Sequence, residues 1–179
     1  MSLREAVAHA IATGNMTHDA DTETGVDLIG ALARADKLGA SLWRVTGNMD
    51  AGSFISAREY LTEALWKQHP TWWESVLCQI AQLALEEWLA CQCRVCGGRK
   101  FTVNEETGTR STCGACAGTG RGRHSDDERI ARLGIPYSRY SKTSPVFDVA
   151  RKMLNAADTR VERQMKYQLE HRKPLKHKK

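Results

Sequence analysis

The sequence predicts a mainly α protein: a helical bundle with an inserted four-cysteine zinc-ribbon or knuckle hairpin and a helix-turn-helix-like C-terminal unit. Three observations predict it. Apolar residues recur at three- and four-residue spacing between residues 26 and 92. Two Cys-x-x-Cys pairs follow directly in a glycine-rich segment. Beyond them lie two helical stretches joined by a polar connector, with bases on and before the second.

Five segments follow: a flexible N-terminal stretch (1–25), an acidic helical domain (26–92), a four-cysteine module (93–123), a basic helix-turn-helix-like region (124–170) and a disordered basic tail (171–179). The chain of 179 residues suffices for one sizeable domain with a small appended module, and is short for a multidomain enzyme. No run approaches the roughly 18–20 apolar residues of a membrane span. The start, Met1-Ser2-Leu3-Arg4-Glu5, lacks the apolar block of a signal peptide, so an intracellular setting is expected.

In the acidic domain, Leu28, Leu32, Ala35, Leu38 and Leu42 share one helical face, and that helix should end at Thr46-Gly47-Asn48. Ser53 is a candidate cap for a second helix carrying Ile55, Ala57, Tyr60, Leu61, Ala64 and Leu65, stopped by Pro70. Thr71 is a candidate cap for a third, carrying Val76, Leu77, Ile80, Leu83, Ala84, Leu85 and Trp88. All five tryptophans (Trp43, Trp66, Trp72, Trp73, Trp88) fall in this half, and their size favours most of them wedging the helices together. Adjacent Trp72 and Trp73 cannot share one helix face, which leaves one for contact. Cys78 and Cys91 read as small apolar residues of the helical pattern.

Cys93-Arg-Val-Cys96 and Cys113-Gly-Ala-Cys116 are separated by sixteen residues, a spacing suited to tetrahedral zinc. Gly97, Gly98, Gly118 and Gly120 let the chain turn tightly around the ion. Four thiolates leave no position open for water, so one structural Zn2+ is expected rather than a catalytic one. A redox dithiol or a disulfide pair suits an intracellular chain without a thioredoxin-like context less well. Between the pairs, Thr102 and Val103 with Gly108 predict a short β-hairpin.

Downstream, Ser125 to Leu133 reads as a helix with Asp126, Asp127 and Glu128 at its positive end, terminated by Gly134-Ile135-Pro136. Tyr137 to Ser144 reads as a connector, and Pro145 opens a second helix through Val146, Val149, Met153 and Leu154 that extends towards Leu169. This pair is either a DNA-reading unit or an ordinary helical hairpin packed under the metal module. Charge divides the chain in the same place, with six bases against twelve acids up to residue 92 and twenty against nine thereafter. The basic half suits a polyanion or a solvated surface; the acidic half suits folding or protein contact.

Together these features resemble the Q antitermination proteins of lambda-like bacteriophages. The resemblance rests on Gly30-Ala-Leu-Ala-Arg-Ala-Asp-Lys-Leu-Gly39 ahead of two longer helices, and on Cys93-x-x-Cys96-Gly-Gly directly after the third helix. It also rests on Cys113-x-x-Cys116-x-Gly-x-Gly120 and on Ile135-Pro136 followed by Tyr140-Ser-Lys-Thr143. It covers residues 26–160. The cysteine pattern also looks like the cysteine-rich region of J-domain co-chaperones, which normally has four such pairs rather than two. The Q resemblance implies a factor in the host bacterial cytoplasm that binds double-stranded DNA within a late promoter. Such a factor engages host RNA polymerase near its flap and the promoter-bound sigma factor, and makes the enzyme ignore terminators.

On that reading Arg139, Lys142, Arg151 and Lys152 are candidates at the helix-turn-helix, with Arg110, Arg121 and Arg123 as phosphate contacts. A zinc-dependent chaperone cofactor and a general DNA-binding transcription regulator are the alternatives. Catalysis is not expected, since His9, His18, His69, His124, His171 and His177 are scattered at no ligand or triad spacing.

Overall fold

The structure is a computed structural model and describes residues 30, 32–33, 35–48, 50–90, 92–104 and 107–170. The N-terminal segment 1–25, the tail 171–179 and Cys91 lie outside the described residues. The described chain is mainly helical: α1 (Lys37–Asn48), α2 (Ala51–Gln68), α3 (Glu74–Ala90), α4 (Asp126–Leu133) and α5 (Tyr137–Glu170), with one hairpin of β1 (Phe101–Val103) and β2 (Arg110–Thr112) between α3 and α4. No helix among the described residues is long and apolar enough to cross a membrane. The chain divides into two compact units, one of residues up to Tyr60 and from Ala156, the other of Leu61–Asn155.

In the first unit, the single helix expected over Leu28 to Leu42 is interrupted at Ala35-Asp36. Asp36 Oδ1 accepts the Gly39 amide at 3.0 Å, and its carbonyl accepts the Ala40 amide at 2.8 Å, so a new helix starts there. Asp36 competes as a cap for amides the preceding turn would otherwise use. From α1, Ala40, Leu42, Trp43 and Val45 are buried, as are Ala157, Val161 and Met165 of α5. A Cβ on Gly39 would collide with the Val161 side chain, so glycine sets how closely these helices approach. Trp43 Nε1 donates to Asp158 Oδ1 at 2.9 Å.

Capping corrects two further expectations. Asp50, not Ser53, caps α2: its carboxylate accepts the amides of Gly52 at 3.1 Å and Ser53 at 2.9 Å, while Ser53 sits buried inside the first turn. The Ser53 hydroxyl and amide hydrogen bonds hold the Asp50 carboxyl below its usual range. Thr71 lies in the turn, and α3 starts later, with the Val76 and Leu77 amides bonded to the Trp73 carbonyl at 3.0 and 3.1 Å. Pro70 does follow the end of α2 closely.

The tryptophans divide differently from the expectation. Trp43 and Trp88 are buried, Trp72 is half-buried, and Trp66 and Trp73 are 50% and 80% exposed. Leu61 and Leu65 take the inner face of α2, and one residue on, about 100° round the helix, Trp66 faces out. Trp73 is placed at a helix start rather than on its apolar side.

The second unit is built on α3, whose Leu77, Ile80, Ala81, Leu83, Ala84, Leu85 and Trp88 are buried along with Glu87. Tyr140, Val146, Phe147, Ala150 and Leu154 of α5 are buried too. Helix α4 begins in a capping box between Ser125 and Glu128 and ends at Gly134, whose φ of 62° is a left-handed cap. The expected connector Tyr137–Ser144 is instead the first two turns of α5, a helix of 34 residues with Pro145 inside it. Pro145 lies on the exposed face, as does Ser141, whose carbonyl loses its helical donor to the proline and is left to solvent. The link between α4 and α5 is thus only Gly134-Ile135-Pro136, with Pro136 O accepting the Arg139 and Tyr140 amides at 2.9 and 3.2 Å.

Candidate metal centre and helix pair

The four sulfurs of Cys93, Cys96, Cys113 and Cys116 lie within 4.8 Å of one another, and all four residues are buried. Cys93 and Cys113 sulfurs are 4.0 Å apart, and those of Cys96 and Cys116 are 3.8 Å apart. A tetrahedron of thiolates at the zinc–sulfur distance of about 2.3 Å has edges of about 3.8 Å. The cluster can therefore hold one metal ion and is compatible with a structural zinc.

The two halves of the module are built alike, with matching residues twenty positions apart. Left-handed backbone recurs at Gly97 (φ 56°) and Ala117 (49°), at Gly98 (82°) and Gly118 (77°), and at Lys100 (72°) and Gly120 (74°). The Cys93 amide donates to Gly120 O at 3.0 Å, and the Cys113 amide to Lys100 O at 3.1 Å. Phe101 pairs with Thr112 in the predicted hairpin, and Gln92 bridges Arg121 in the matching place. A Cβ on Gly120 would lie 2.6 Å from Gly98 O, so glycine is what lets the two halves meet. The first half carries Gly97 and Lys100 where the second has Ala117 and Gly120, so in the sequence the repeat shows only as the paired Cys-x-x-Cys motif.

At Cys116, burial pushes the thiol up, but the Gly120 amide, 3.3 Å from its sulfur, and the neighbouring thiols bring it down to about 7. At Cys113 the Cys116 amide favours the thiolate, while desolvation and the adjacent Cys116 and Cys96 thiols outweigh it and raise the pKa.

Behind the module lies an ionic cluster that sequence reasoning missed. Glu87 on α3 and Arg129 on α4 are both fully buried, joined by Arg129 Nε to Glu87 Oε2 at 3.0 Å and Nη2 to Oε1 at 2.8 Å. Arg129 also stacks 4.1 Å over the Phe147 ring. Its Nη1 donates to Tyr140 Oη at 3.4 Å, and that hydroxyl donates to Asp126 Oδ1 at 2.9 Å. Burial disfavours the Arg129 charge, but Glu87 and Tyr140 outweigh it and raise its pKa. The only sequence signal was a glutamate on the apolar face of α3, beside Leu83, Ala84 and Trp88.

The candidate DNA-binding bases separate into two groups. Arg123, Arg139, Lys142 and Lys152 are exposed. Arg110 is exposed with its guanidinium 4.8 Å over the Phe101 ring, and half-buried Arg121 lies 3.9 Å over the Trp88 ring. Arg151 turns inward: Nε lies 3.3 Å from Glu87 Oε1, and Nη2 donates to Gly122 O at 3.2 Å. Burial lowers its pKa, with Glu87 opposing and Arg129 and Arg123 adding to the shift. A groove of 1230 Å3 runs along the module and the helix pair, lined among others by Arg94, Arg123, Tyr137, Asp148 and Lys152.

Compared with known proteins, the chain matches no family model and no curated protein.

Proposed function

We propose that this protein is a DNA-binding transcription factor in which a structural zinc supports a helix pair, and that it acts as a late-gene antiterminator on RNA polymerase. The observation that carries the DNA-binding reading is the three-residue link between α4 and α5, with Lys142 and Arg139 exposed on the first turns of α5. An eight-residue polar connector would have suited a helix-turn-helix poorly; a short turn closed by Gly134 suits it well. Asp126 to Tyr140 and Arg129 to Phe147 tie the two helices together. Arg123, Arg139, Lys142 and Lys152 supply phosphate neutralisation, and side chains on the first two turns of α5 read base edges on this proposal. Arg151, held by Glu87 and Gly122, leaves this set.

The antitermination role follows the resemblance to the Q proteins and adds host polymerase and its sigma factor as partners. Exposed Trp66 and Trp73, on either side of the α2–α3 turn, favour a protein partner for the acidic half.

The test is binding of the zinc-loaded chain to a phage late-promoter fragment and to a scrambled duplex at two salt concentrations. Site-selective binding is expected, with Lys142→Ala lowering affinity for both duplexes and reducing the salt slope by about 1. Equal affinity for both duplexes would overturn sequence-specific recognition. Selective binding without terminator read-through in a polymerase assay would leave a general transcription regulator.

A further inference from the structure

The geometry points to Arg151 and Arg121 as positioning residues that transmit the state of the metal centre to α5. The path consists of short contacts throughout. Gly120 donates its amide to Cys116 Sγ and accepts the Cys93 amide on its carbonyl, so the metal ligands fix this residue. The next two residues are each clipped to a helix. Arg121 stacks 3.9 Å over Trp88 of α3, and Trp88 Nε1 donates to Asn155 Oδ1 of α5 at 3.0 Å. Gly122 O accepts from Arg151 Nη2 of α5 at 3.2 Å. Arg151 then continues into the buried cluster through Glu87, which grips Arg129 of α4. Segment 120–122 thus touches the Cys116 thiol on one side and, on the other, reaches α5 directly at Arg151 through Gly122 and at Asn155 by way of Trp88.

The chemistry gives this arrangement a direction. Without a metal, four closely packed thiols have neither a common partner nor reason to stay together, and the module has almost no apolar core to hold it. Gly120 is then released, and with it the Gly122 carbonyl and the Arg121 side chain. Arg129 holds Glu87 bidentately and also faces Asp126 at 3.8 Å, so Arg151, at 3.3 Å from Glu87, is the more weakly held guanidinium and is displaced towards water. By linkage, whatever metal binding contributes to order in α5, order in α5 returns to metal affinity. This inference concerns the folding of the unit and stands whether or not the helix pair reads DNA.

The test uses the full chain without nucleic acid and compares amide hydrogen exchange in the zinc-loaded and chelated states. Removing zinc is expected to lower protection over residues 137–155 while α2 residues 61–68 keep theirs. Arg151→Met, with Glu87 still paired to Arg129, is expected to abolish most of this metal dependence and to weaken cobalt(II) affinity by about tenfold. The tetrahedral thiolate spectrum of bound cobalt should stay unchanged. A merely structural arginine would lower protection equally in both states and leave the metal dependence intact; that result overturns the proposal. So does protection of α5 that ignores zinc, or a loss spread evenly over α2 and α5. Should Arg151→Met fail to fold, Arg121→Ala decides: it removes the Trp88 stack while the Arg151–Gly122 bond stays in place and should halve the metal dependence or more, and full retention would overturn the inference.

Discussion

Two polar centres hold this protein's second unit, and they work by opposite physics. The four-cysteine centre gathers thiols that have little mutual attraction and could hold a metal ion that would bind them together. The Glu87–Arg129 centre is self-sufficient, since each partner satisfies the other and Tyr140 and Arg151 occupy the remaining positions. Four-sulfur ligation contributes on the order of 10 kcal/mol of apparent binding energy, all of it conditional on metal. A buried ion pair, by contrast, is nearly neutral against a hydrophobic replacement and costly only when half of it is removed. The lesson is that one centre supplies stability to a segment without a core, while the other mainly fixes which helix faces meet.

The largest effect that would break this contrast is metal removal. Chelation, or Cys96→Ser, should unfold residues 93–123 with a loss on the order of 10 kcal/mol of apparent metal-linked stability, read by loss of dispersed amide signals from the hairpin. Survival of the Phe101–Thr112 pairing without metal would place the module's stability elsewhere.

Next in size, Arg129→Ala should cost about 3–5 kcal/mol in urea unfolding because it takes the bidentate partner from Glu87 at zero exposure and leaves it the single contact to Arg151. The double replacement Arg129→Met with Glu87→Leu should recover most of that loss. If the double variant stays as unstable as the single one, the pair contributes net stability of its own, and the contrast with the metal centre weakens.

A smaller effect sharpens the comparison within the metal module. Gly120→Ala meets both a left-handed φ of 74° and the Gly98 carbonyl, and should cost roughly 2–4 kcal/mol of thermal stability. Gly97→Ala, at φ 56° with open space around it, should cost only about 1 kcal/mol. Lys100→Gly removes a left-handed lysine and should stabilise by up to about 1 kcal/mol. Equal costs at Gly97 and Gly120 would mean that conformation alone, rather than contact between the halves, selects glycine.

The smallest effect is at the surface, in the α4 cap. The Ser125 amide and hydroxyl hold the Glu128 carboxyl below its usual range. A depressed carboxyl contributes stability that is present above the ordinary glutamate value, about 4.3, and lost as the pH falls through the lower folded value. Melting temperature should therefore hold from neutrality to about pH 5 and decline below it. Glu128→Gln should flatten part of that acid limb, which thermal melts between pH 6 and 3 would show.

Much of the architecture was legible where a local cause operates. Pro70 after α2, the acidic first turn of α4 at Asp126–Glu128 with its stop at Gly134, and the hairpin of β1 and β2 all act over a few residues and appear where the sequence predicts them. Misreadings arose where two local signals competed. Asp36 won as a cap over an unbroken apolar period by accepting the Gly39 amide, and Asp50 won over Ser53 because its carboxylate accepts two amides at once. Pro145 reads as a helix start, yet on an exposed face with solvent at the Ser141 carbonyl it is tolerated within α5.

By itself the sequence determined the helical class and which four cysteines cluster. Apolar period, caps, and cysteines two residues apart are chemical instructions confined to neighbouring positions. Only the tertiary structure decided that Glu87 and Arg129, 42 positions apart, would be buried together, that Arg151 would face Gly122 rather than solvent, and that Trp43 and Trp88 alone would be buried among the tryptophans. Such choices depend on which faces of distant helices meet, and a charge or an indole carries no local mark of the partner that will cover it.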